Sequence, residues 1–207
     1  MEPVVTQPAA VVLAGGLSTR WGRDKSLVRW RGGRLVDHVV ARLPDERHET
    51  VLVVRREQGD TGWPADVVVH DDPDLPAGPL RGVIRGLEAC TAECAWVVAC
   101  DQPLISAPLL RHLADVLDPD RLAVIPEWGG RPQPLVGVYR SAAAARLAAC
   151  LADGERSLIG ALEALDVQMV DETQCRRFDP AGDSFLNLNR PEQLAELAGR
   201  FPESPEE

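Results

Sequence analysis

Short apolar runs alternate with longer amphipathic stretches along this chain, which is the pattern expected of an α/β protein. The runs are rich in β-branched residues and predict strands at 9–14, 50–54, 67–69, 95–100, 121–125, 135–139 and 167–170. Apolar residues at helical spacing predict helices at 34–43, 80–90, 109–117, 141–151, 157–165 and 191–197. The alternation predicts a layered α/β fold.

The size and composition predict one globular domain. The chain has 207 residues and a mass of 22.5 kDa, and 45% of the residues are hydrophobic and 26% charged. We predict a single domain over 1–200, followed by an acidic tail over 201–207. No apolar run approaches the ~18 residues of a membrane span, and the N-terminal segment lacks the pattern of a secretion signal. These features predict a cytoplasmic protein with no membrane partner.

The charge distribution indicates a small anionic ligand. A net charge of −10 and a pI near 4.9 argue against nucleic acid as a partner. Against this acidic background, the segment 17–34 has a single acidic residue, Asp24, and the cations Arg20, Arg23, Lys25, Arg29, Arg31 and Arg34. Such a local positive patch suits a small anion better than a polymer. The last three arginines taken alone also fit a solvated basic face.

The cysteines and histidines show no metal-binding pattern. The chain has five cysteines and four histidines. The odd cysteine count and the absence of a C-x-x-C pair predict free thiols in a reducing compartment. The histidines are scattered and form no H-E-x-x-H motif, so we expect any bound metal to have oxygen ligands.

The most informative stretch begins where the first predicted strand ends. The strand stops at Gly15 and Gly16, where the backbone can approach a ligand because no Cβ intervenes. Arg20 and Lys25 follow, and Lys25 is the only lysine among the 22 lysine and arginine residues. A buried strand, a glycine break and a cluster of cations are typical of a phosphate-binding loop, where a compact ammonium fits a crowded site. The alternative for Lys25 is a solvated surface cation.

The segment L-A-G-G-x-S-x-R-x-G-x-D-K resembles the nucleotide-binding signature of the nucleotidyltransferases, most closely that of the molybdenum cofactor guanylyltransferases. It differs from the Walker A loop and from the dinucleotide-binding fingerprint. The resemblance implies a three-layer, Rossmann-like fold with a mostly parallel sheet and helices on both faces, as in nucleotide-diphospho-sugar transferases. It also implies that Arg20 and Lys25 act in catalysis. The nucleotide-binding residues that it implies here are Leu13, Ala14, Gly15, Gly16 and Lys25.

A first aspartate follows the third predicted strand, at the edge of the sheet that faces the ligand in α/β folds. This residue, Asp71, precedes the segment Gly78-Pro79-Leu80, and both features resemble the family. The resemblance assigns Asp71 and Gly78 to the nucleotide, with Asp71 at the purine. The alternative is an acidic turn that starts a helix, and the adjacent Asp72 is a weaker candidate for the same role.

A second aspartate, Asp101, ends the fourth predicted strand. A charge at that point is costly unless it is satisfied, and a carboxylate beside phosphates is a natural ligand for Mg²⁺. The family carries the same C-D-x-P element and uses its aspartate for the metal, so we predict that Asp101 binds metal and nucleotide and acts in catalysis. A role for Asp101 as a helix cap is disfavoured because Ser106, ahead of Ala107-Pro108, makes a better helix start.

Two later segments resemble those that the family places near the acceptor substrate and the reacting phosphates. A Q-P-L segment begins at Gln133, and an N-x-N-x-P segment contains Asn187 and Asn189. Alternation from Phe185 to Asn189 predicts a short extended segment with both amides on one face. The alternative is that the amides cap the next helix. Arg131 fits either an acceptor phosphate or a solvated turn.

Together the motifs imply Mg²⁺-dependent transfer of GMP from GTP to the terminal phosphate of molybdopterin, with release of pyrophosphate. The segment from Val53 to Arg56 lacks the asparagine that guanylyltransferases often carry there. One alternative is therefore a cytidylyltransferase, or a transferase for another phosphorylated acceptor. Another is a non-catalytic nucleotide-binding partner of molybdoenzymes. The protein partners implied are molybdenum-insertion proteins or apo-molybdoenzymes, in transient contact.

Overall fold

An eight-stranded sheet forms the centre of the structure, a computed structural model that describes residues 7–16 and 24–200. Its strands and those of a separate hairpin are, in chain order, β1 (Ala9–Leu13), β2 (Arg29–Trp30), β3 (Gly33–Arg34), β4 (Thr50–Val54), β5 (Val67–His70), β6 (Cys94–Ala99), β7 (Ala123–Trp128), β8 (Arg131–Pro132), β9 (Val136–Arg140) and β10 (Val167–Val170). The helices are α1 (Leu35–Val40), α2 (Pro79–Ala89), α3 (Ala107–Asp115), α4 (Ala143–Ala152), α5 (Leu158–Ala161), α6 (Glu172–Cys175) and α7 (Glu192–Arg200). Within the described ranges, no helix has the length and apolar character needed to cross a bilayer.

The sheet is mostly parallel, as the family resemblance implied. Its strands lie in the order β10-β7-β9-β6-β1-β4-β5, and β8 pairs with the end of β7. The central strand β1 is parallel to both of its neighbours, β4 and β6, whereas β9 is antiparallel to β6 and β7. From β1 the chain continues to β4 on one side, and β6 lies on the other side, so the strand order reverses at β1. In α/β proteins, ligands bind at such a point, in the crevice at the carboxyl ends of the strands.

Helices cover both faces of the sheet, which confirms the three-layer architecture. Alternate residues of β1 point to opposite faces, so Ala9 and Val11 pack with α2, α4 and α5, and Ala10 and Val12 pack with α1, α3 and α6. A smaller apolar cluster lies beside the β2–β3 hairpin and α7. It consists of Val28, Trp30, Leu35, Leu104, Leu188 and Leu197.

The main differences from the sequence predictions are local. The segment predicted as extended at 185–189 differs at its first residue, because Phe185 ends a short 3-10 helix, Asp183–Phe185. Leu186 is extended, with φ −80° and ψ 109°, and 186–189 form no strand. The helix predicted at 157–165 is α5 followed by a 3-10 turn, Leu162–Ala164. The β2–β3 hairpin was not predicted, since Arg31 and Gly32 take positive φ angles of 46° and 78° and the usual sequence signal for such a turn is Asn-Gly. The domain boundary at 200 stays a prediction.

Gly86 allows α2 to lie close to the sheet. A Cβ atom at this position would overlap Val11 Cγ1 and come within 3.2 Å of Val53 Cγ2. We expect Gly86→Ala to lower the free energy of unfolding by about 1–3 kcal/mol, because overpacking outweighs the ~1 kcal/mol of helix propensity that alanine gains. Denaturant unfolding measures the change. Gly82→Ala is the matched control on the same helix, because its Cβ would lie 3.4 Å from Leu13 Cδ2, a tolerable contact. Equal stability of the two variants would contradict this explanation.

Candidate active site

A cavity of about 630 Å³ opens at the carboxyl ends of β1, β4, β5 and β6. Most of the residues that the sequence singled out line it: Leu13, Ala14, Gly15, Gly16, Lys25, Asp71, Gly78, Asp101, Asn187 and Asn189. Arg20 lies outside the described residues. Gln133 is not part of the lining, to which Leu135 contributes from the same Q-P-L segment. The structure therefore gathers side chains from five separate segments into one crevice.

Lys25 is buried in this cavity although its side chain carries a charge. The Lys25 Nζ donates to Asp101 Oδ2 at 2.8 Å and to Asn189 Oδ1 at 3.2 Å, and only 8% of the residue is exposed. Such partners are needed because an ammonium away from water is costly. The alternative of a solvated surface cation for Lys25 is therefore wrong. The contact joins three residues that the sequence analysis predicted from three separate motifs.

The two carboxylate oxygens of Asp101 have different environments. Oδ2 accepts from Lys25, whereas Oδ1 is buried with no hydrogen-bond partner among the described residues. A buried oxygen without a partner is unusual, and a bound cation would satisfy it. No group of three or more His, Cys, Asp or Glu side chains suited to a metal occurs in the part of the chain that the structure describes. Mg²⁺ fits this donor set, because it takes one or two carboxylates and completes its shell with water and phosphate oxygens.

Two residues near Asp101 in the sequence, Cys100 and Ser106, do not take part in the proposed metal site. Ser106 caps α3, since its Oγ accepts from the N–H of Leu109 at 3.3 Å, which agrees with the prediction that Asp101 is not the cap. Burial, and to a smaller extent the Asp101 carboxylate, raises the pKa of the Cys100 thiol well above its ordinary value. Cys100 is therefore a neutral thiol and not a nucleophile.

Gln58 ties the glycine loop to the segment that carries Lys25, and the sequence analysis missed it. Its Nε2 donates to the Ala14 carbonyl oxygen at 3.0 Å and to Asp24 Oδ2. Asp24 Oδ1 in turn accepts from the N–H of Ser26 at 3.0 Å and from the Ser26 hydroxyl at 2.7 Å. The backbone on both sides of Lys25 is thereby fixed. The only sequence signal was Asp24 in the shared motif, because Gln58 lies in no motif.

A second buried ion pair lies on the β5 side of the cavity. Asp71 Oδ2 accepts from Arg81 Nη2 at 2.6 Å, and the side chains are 8% and 10% exposed. Gly78 opens α2 with a φ of 151°, which favours glycine, and Pro79 takes the first helical position. Of the two adjacent aspartates, Asp71 lines the cavity and Asp72 is exposed outside it. Arg81 was not predicted, because an arginine one turn into a helix resembles any surface residue.

Asn187 and Asn189 both line the cavity, and the segment that carries them is not part of a strand. The N–H of Leu188, between them, donates to the Asp101 carbonyl oxygen at 2.9 Å. Gln193 Oε1 accepts from the backbone N–H groups of Asn189 and Arg190, at 2.7 and 2.9 Å. Gln193 therefore holds the backbone that leads into α7, and the Asn189 side chain is directed to Lys25.

Gln133 and Arg131 lie in the turn around β8 and stay predictions for the acceptor. Gln133 Nε2 is 3.4 Å from the carbonyl oxygens of Trp128 and Arg131, and its N–H donates to the Pro126 carbonyl oxygen at 2.8 Å. The Arg131 residue is exposed. In the described residues this turn is held mainly by backbone contacts.

A family model and related sequences identify the same family of proteins. Residues 10–167 match the MobA-like NTP transferase domain. The chain is 31% identical over 193 residues to the molybdenum cofactor guanylyltransferase of Vibrio cholerae, covering 93% of this chain and 92% of the relative. It is 35% identical over 201 residues to the probable molybdenum cofactor guanylyltransferase of Chloroflexus aggregans, covering 93% and 94%.

Solved structures share the fold. The molybdopterin-guanine dinucleotide biosynthesis protein A of Archaeoglobus fulgidus superposes with a TM-score of 0.79 at 27% identity, covering 93% of this chain and 99% of that one. The 2-C-methyl-D-erythritol 4-phosphate cytidylyltransferase of Thermus thermophilus has a TM-score of 0.67 at 16% identity, covering 92% and 98%. This second likeness concerns the fold alone.

Proposed function

The chain belongs to the MobA-like NTP transferase family and is a nucleotidyltransferase, and from this premise we propose that it transfers GMP from GTP to the terminal phosphate of molybdopterin. Pyrophosphate leaves, and the guanine dinucleotide form of the cofactor is the product. The names of the related guanylyltransferases support the substrates. The observation that carries the proposal is the contact of Lys25 with Asp101 and Asn189, in the cavity that the glycine loop also lines.

Nucleotidyl transfer asks the protein mainly to position phosphates and to neutralise their charge. Gly15 and Gly16 place backbone against the triphosphate with no Cβ in between. Lys25 is the cation that neutralises charge growing on the α-phosphoryl oxygens. The acceptor phosphate already carries negative charge, so no protein base is required. This agrees with the lining, in which the described residues include no histidine.

Mg²⁺ completes the proposed site. The residue that would hold it is Asp101, through the unsatisfied Oδ1. When bound, the ion supplies charge neutralisation at the phosphate oxygens and so assists the departure of pyrophosphate. Asp101 has a second role, because it holds the ammonium of Lys25 inside the cavity.

We propose that the reaction takes place in the cytoplasm. The five cysteines are free thiols, which suits a reducing compartment. Since the product is a cofactor, the protein is expected to meet molybdenum-insertion proteins or apo-molybdoenzymes transiently.

A panel of nucleotides and acceptors tests the function. We expect pyrophosphate release from GTP, in the presence of Mg²⁺, only when molybdopterin is added, because the acceptor phosphate is the nucleophile. CTP, ATP and UTP are the matched nucleotides, and a sugar phosphate is the matched acceptor. Equal turnover with CTP would point to a cytidylyltransferase, and turnover with the sugar phosphate alone to another acceptor. Tight GTP binding without turnover at any acceptor would favour a non-catalytic partner.

A further inference from the structure

The buried ion pair of Asp71 and Arg81 has no part in the phosphate chemistry proposed above, although both residues line the cavity. Arg81 uses its planar fork at three points. Nη2 donates to Asp71 Oδ2 at 2.6 Å, and Nη1 donates to the carbonyl oxygens of Leu75 at 2.7 Å and Asp72 at 3.1 Å. Arg81 therefore fixes the whole turn after β5 to the first turns of α2.

The same contacts fix the orientation of the Asp71 carboxylate. The N–H of Asp71 donates to the Val54 carbonyl oxygen at 2.9 Å, which holds its backbone at the sheet. Oδ2 lies 3.5 Å from the point that a Cβ on Gly15 would occupy, so this oxygen is held between Arg81 and the glycine loop. A carboxylate has about four acceptor positions. The ion pair leaves some of them for a ligand in the cavity.

We propose that Arg81 is a positioning residue that determines base specificity: it orients Asp71, which the family resemblance already assigns to the purine, so that the carboxylate accepts hydrogen bonds from the N1–H and the 2-amino group of guanine. This inference rests on the proposed function. Guanine offers two donors on that edge, whereas the ring nitrogens of adenine and cytosine at the corresponding edge are acceptors and would face the carboxylate with like polarity. A buried group that pairs with one base and is left unpaired by another is an effective source of selectivity.

Arginine suits this role better than lysine. The guanidinium is planar and carries five N–H groups, so it can bond a carboxylate and two carbonyl oxygens at once. A lysine at 81 would retain the charge beside Asp71 but would lose the contacts to the turn. Arg81→Lys therefore separates the positioning role from charge neutralisation, and Arg81→Gln is a second variant that keeps a neutral planar donor.

Binding of nucleoside diphosphates, measured by calorimetry without acceptor, tests the inference. We expect the wild-type protein to prefer GDP over ADP and CDP, with IDP intermediate because it lacks the 2-amino group. Arg81→Lys and Arg81→Gln should reduce the GDP/ADP ratio of affinities by about tenfold or more, since a hydrogen bond to a charged group is being misplaced. The kinetic counterpart with GTP is a rise in KM larger than the fall in kcat.

Arg85→Ala is the matched control. Arg85 lies one turn further along α2, its side chain is 45% exposed, and its carboxylate partner Glu88 is 3.7 Å away. This variant should keep the wild-type ratio, and thermal unfolding verifies that each variant is folded. If wild-type protein binds all the diphosphates equally, the guanylyltransferase proposal fails whatever Arg81 does. If the wild type prefers GDP and both Arg81 variants keep that preference, or weaken all nucleotides alike, the inference about Arg81 is overturned and the proposed function stands.

Discussion

Lys25→Ala should lower the turnover of GTP by at least about two orders of magnitude, because it removes a preorganised charge at the reacting phosphates. The structure places Nζ 2.8 Å from Asp101 and 3.2 Å from Asn189, so the truncation also removes the contact that links these two residues. If the charge acts in the transition state, kcat should fall by more than KM rises. Steady-state pyrophosphate release with molybdopterin as acceptor measures both.

Two variants separate charge from shape. Lys25→Arg keeps the charge, but we expect it to be impaired too, because the larger fork does not fit the position between Asp101 and Asn189. Arg111→Ala removes an exposed cation that pairs with Glu46 outside the cavity, and it should retain wild-type turnover. Undiminished turnover in Lys25→Ala would remove the basis of the proposed chemistry.

The lysine content of the chain offers a chemical test of the same prediction. Lys25 is the only lysine, so an amine-selective reagent can modify only this side chain and the α-amino group. Lys25 is 8% exposed and engaged with Asp101, so its modification should be slow. GTP should slow it further if the triphosphate contacts the ammonium. Mass spectrometry of peptides after timed labelling, with the α-amino group as the internal control, measures the protection.

The parts of the fold and site that could be predicted from the sequence are those encoded locally. The apolar run of β1 stops at Gly15 and Gly16, and Asp101 follows β6 directly, so the sequence predicts that both contact the ligand. The alternation of apolar residues also gave the layers, because buried parallel strands and amphipathic helices have different periods. The pattern of residues predicts the strand ends and the layers, and the resemblance to the family adds the roles of Gly15, Gly16 and Asp101.

The remainder depends on packing between distant segments. Lys25 lies 76 positions from Asp101 and 164 from Asn189, and no spacing rule predicts that these side chains touch. Gln58 and Arg81 were missed for the same reason, since their partners are set by how the turns after β4 and β5 fold against their neighbours. The alternation around the two asparagines predicts that they share a face, but it does not show what holds them at the cavity. The N–H of Leu188 donates to the Asp101 carbonyl oxygen, and the side-chain oxygen of Gln193 accepts from the N–H of Asn189.

Asp101→Asn should also lower turnover by at least about two orders of magnitude, but in this variant the cause is weaker metal binding. An amide can still accept from Lys25, yet it lacks the charge that holds a divalent cation beside phosphates. Its NH₂ group would also occupy the place of a buried oxygen that has no partner among the described residues. Electron paramagnetic resonance of Mn²⁺ with GTP should show weaker metal binding in the variant. Asp153→Asn, which neutralises an exposed carboxylate at the end of α4, is the control and should bind Mn²⁺ as the wild type does.

The two substitutions should not be additive, because Lys25 and Asp101 form one contact. Lys25→Ala alone leaves the Asp101 carboxylate without its ammonium, and Asp101→Asn alone leaves the ammonium without its carboxylate; each single variant should therefore be destabilised. The double variant removes both charges and should recover a coupling free energy of about 1–3 kcal/mol in denaturant unfolding. The turnover of the double variant should be no lower than that of the less active single variant, since the loss of either residue already disables the Lys25–Asp101 pair. Strictly additive losses in both measurements would show that the two residues act separately.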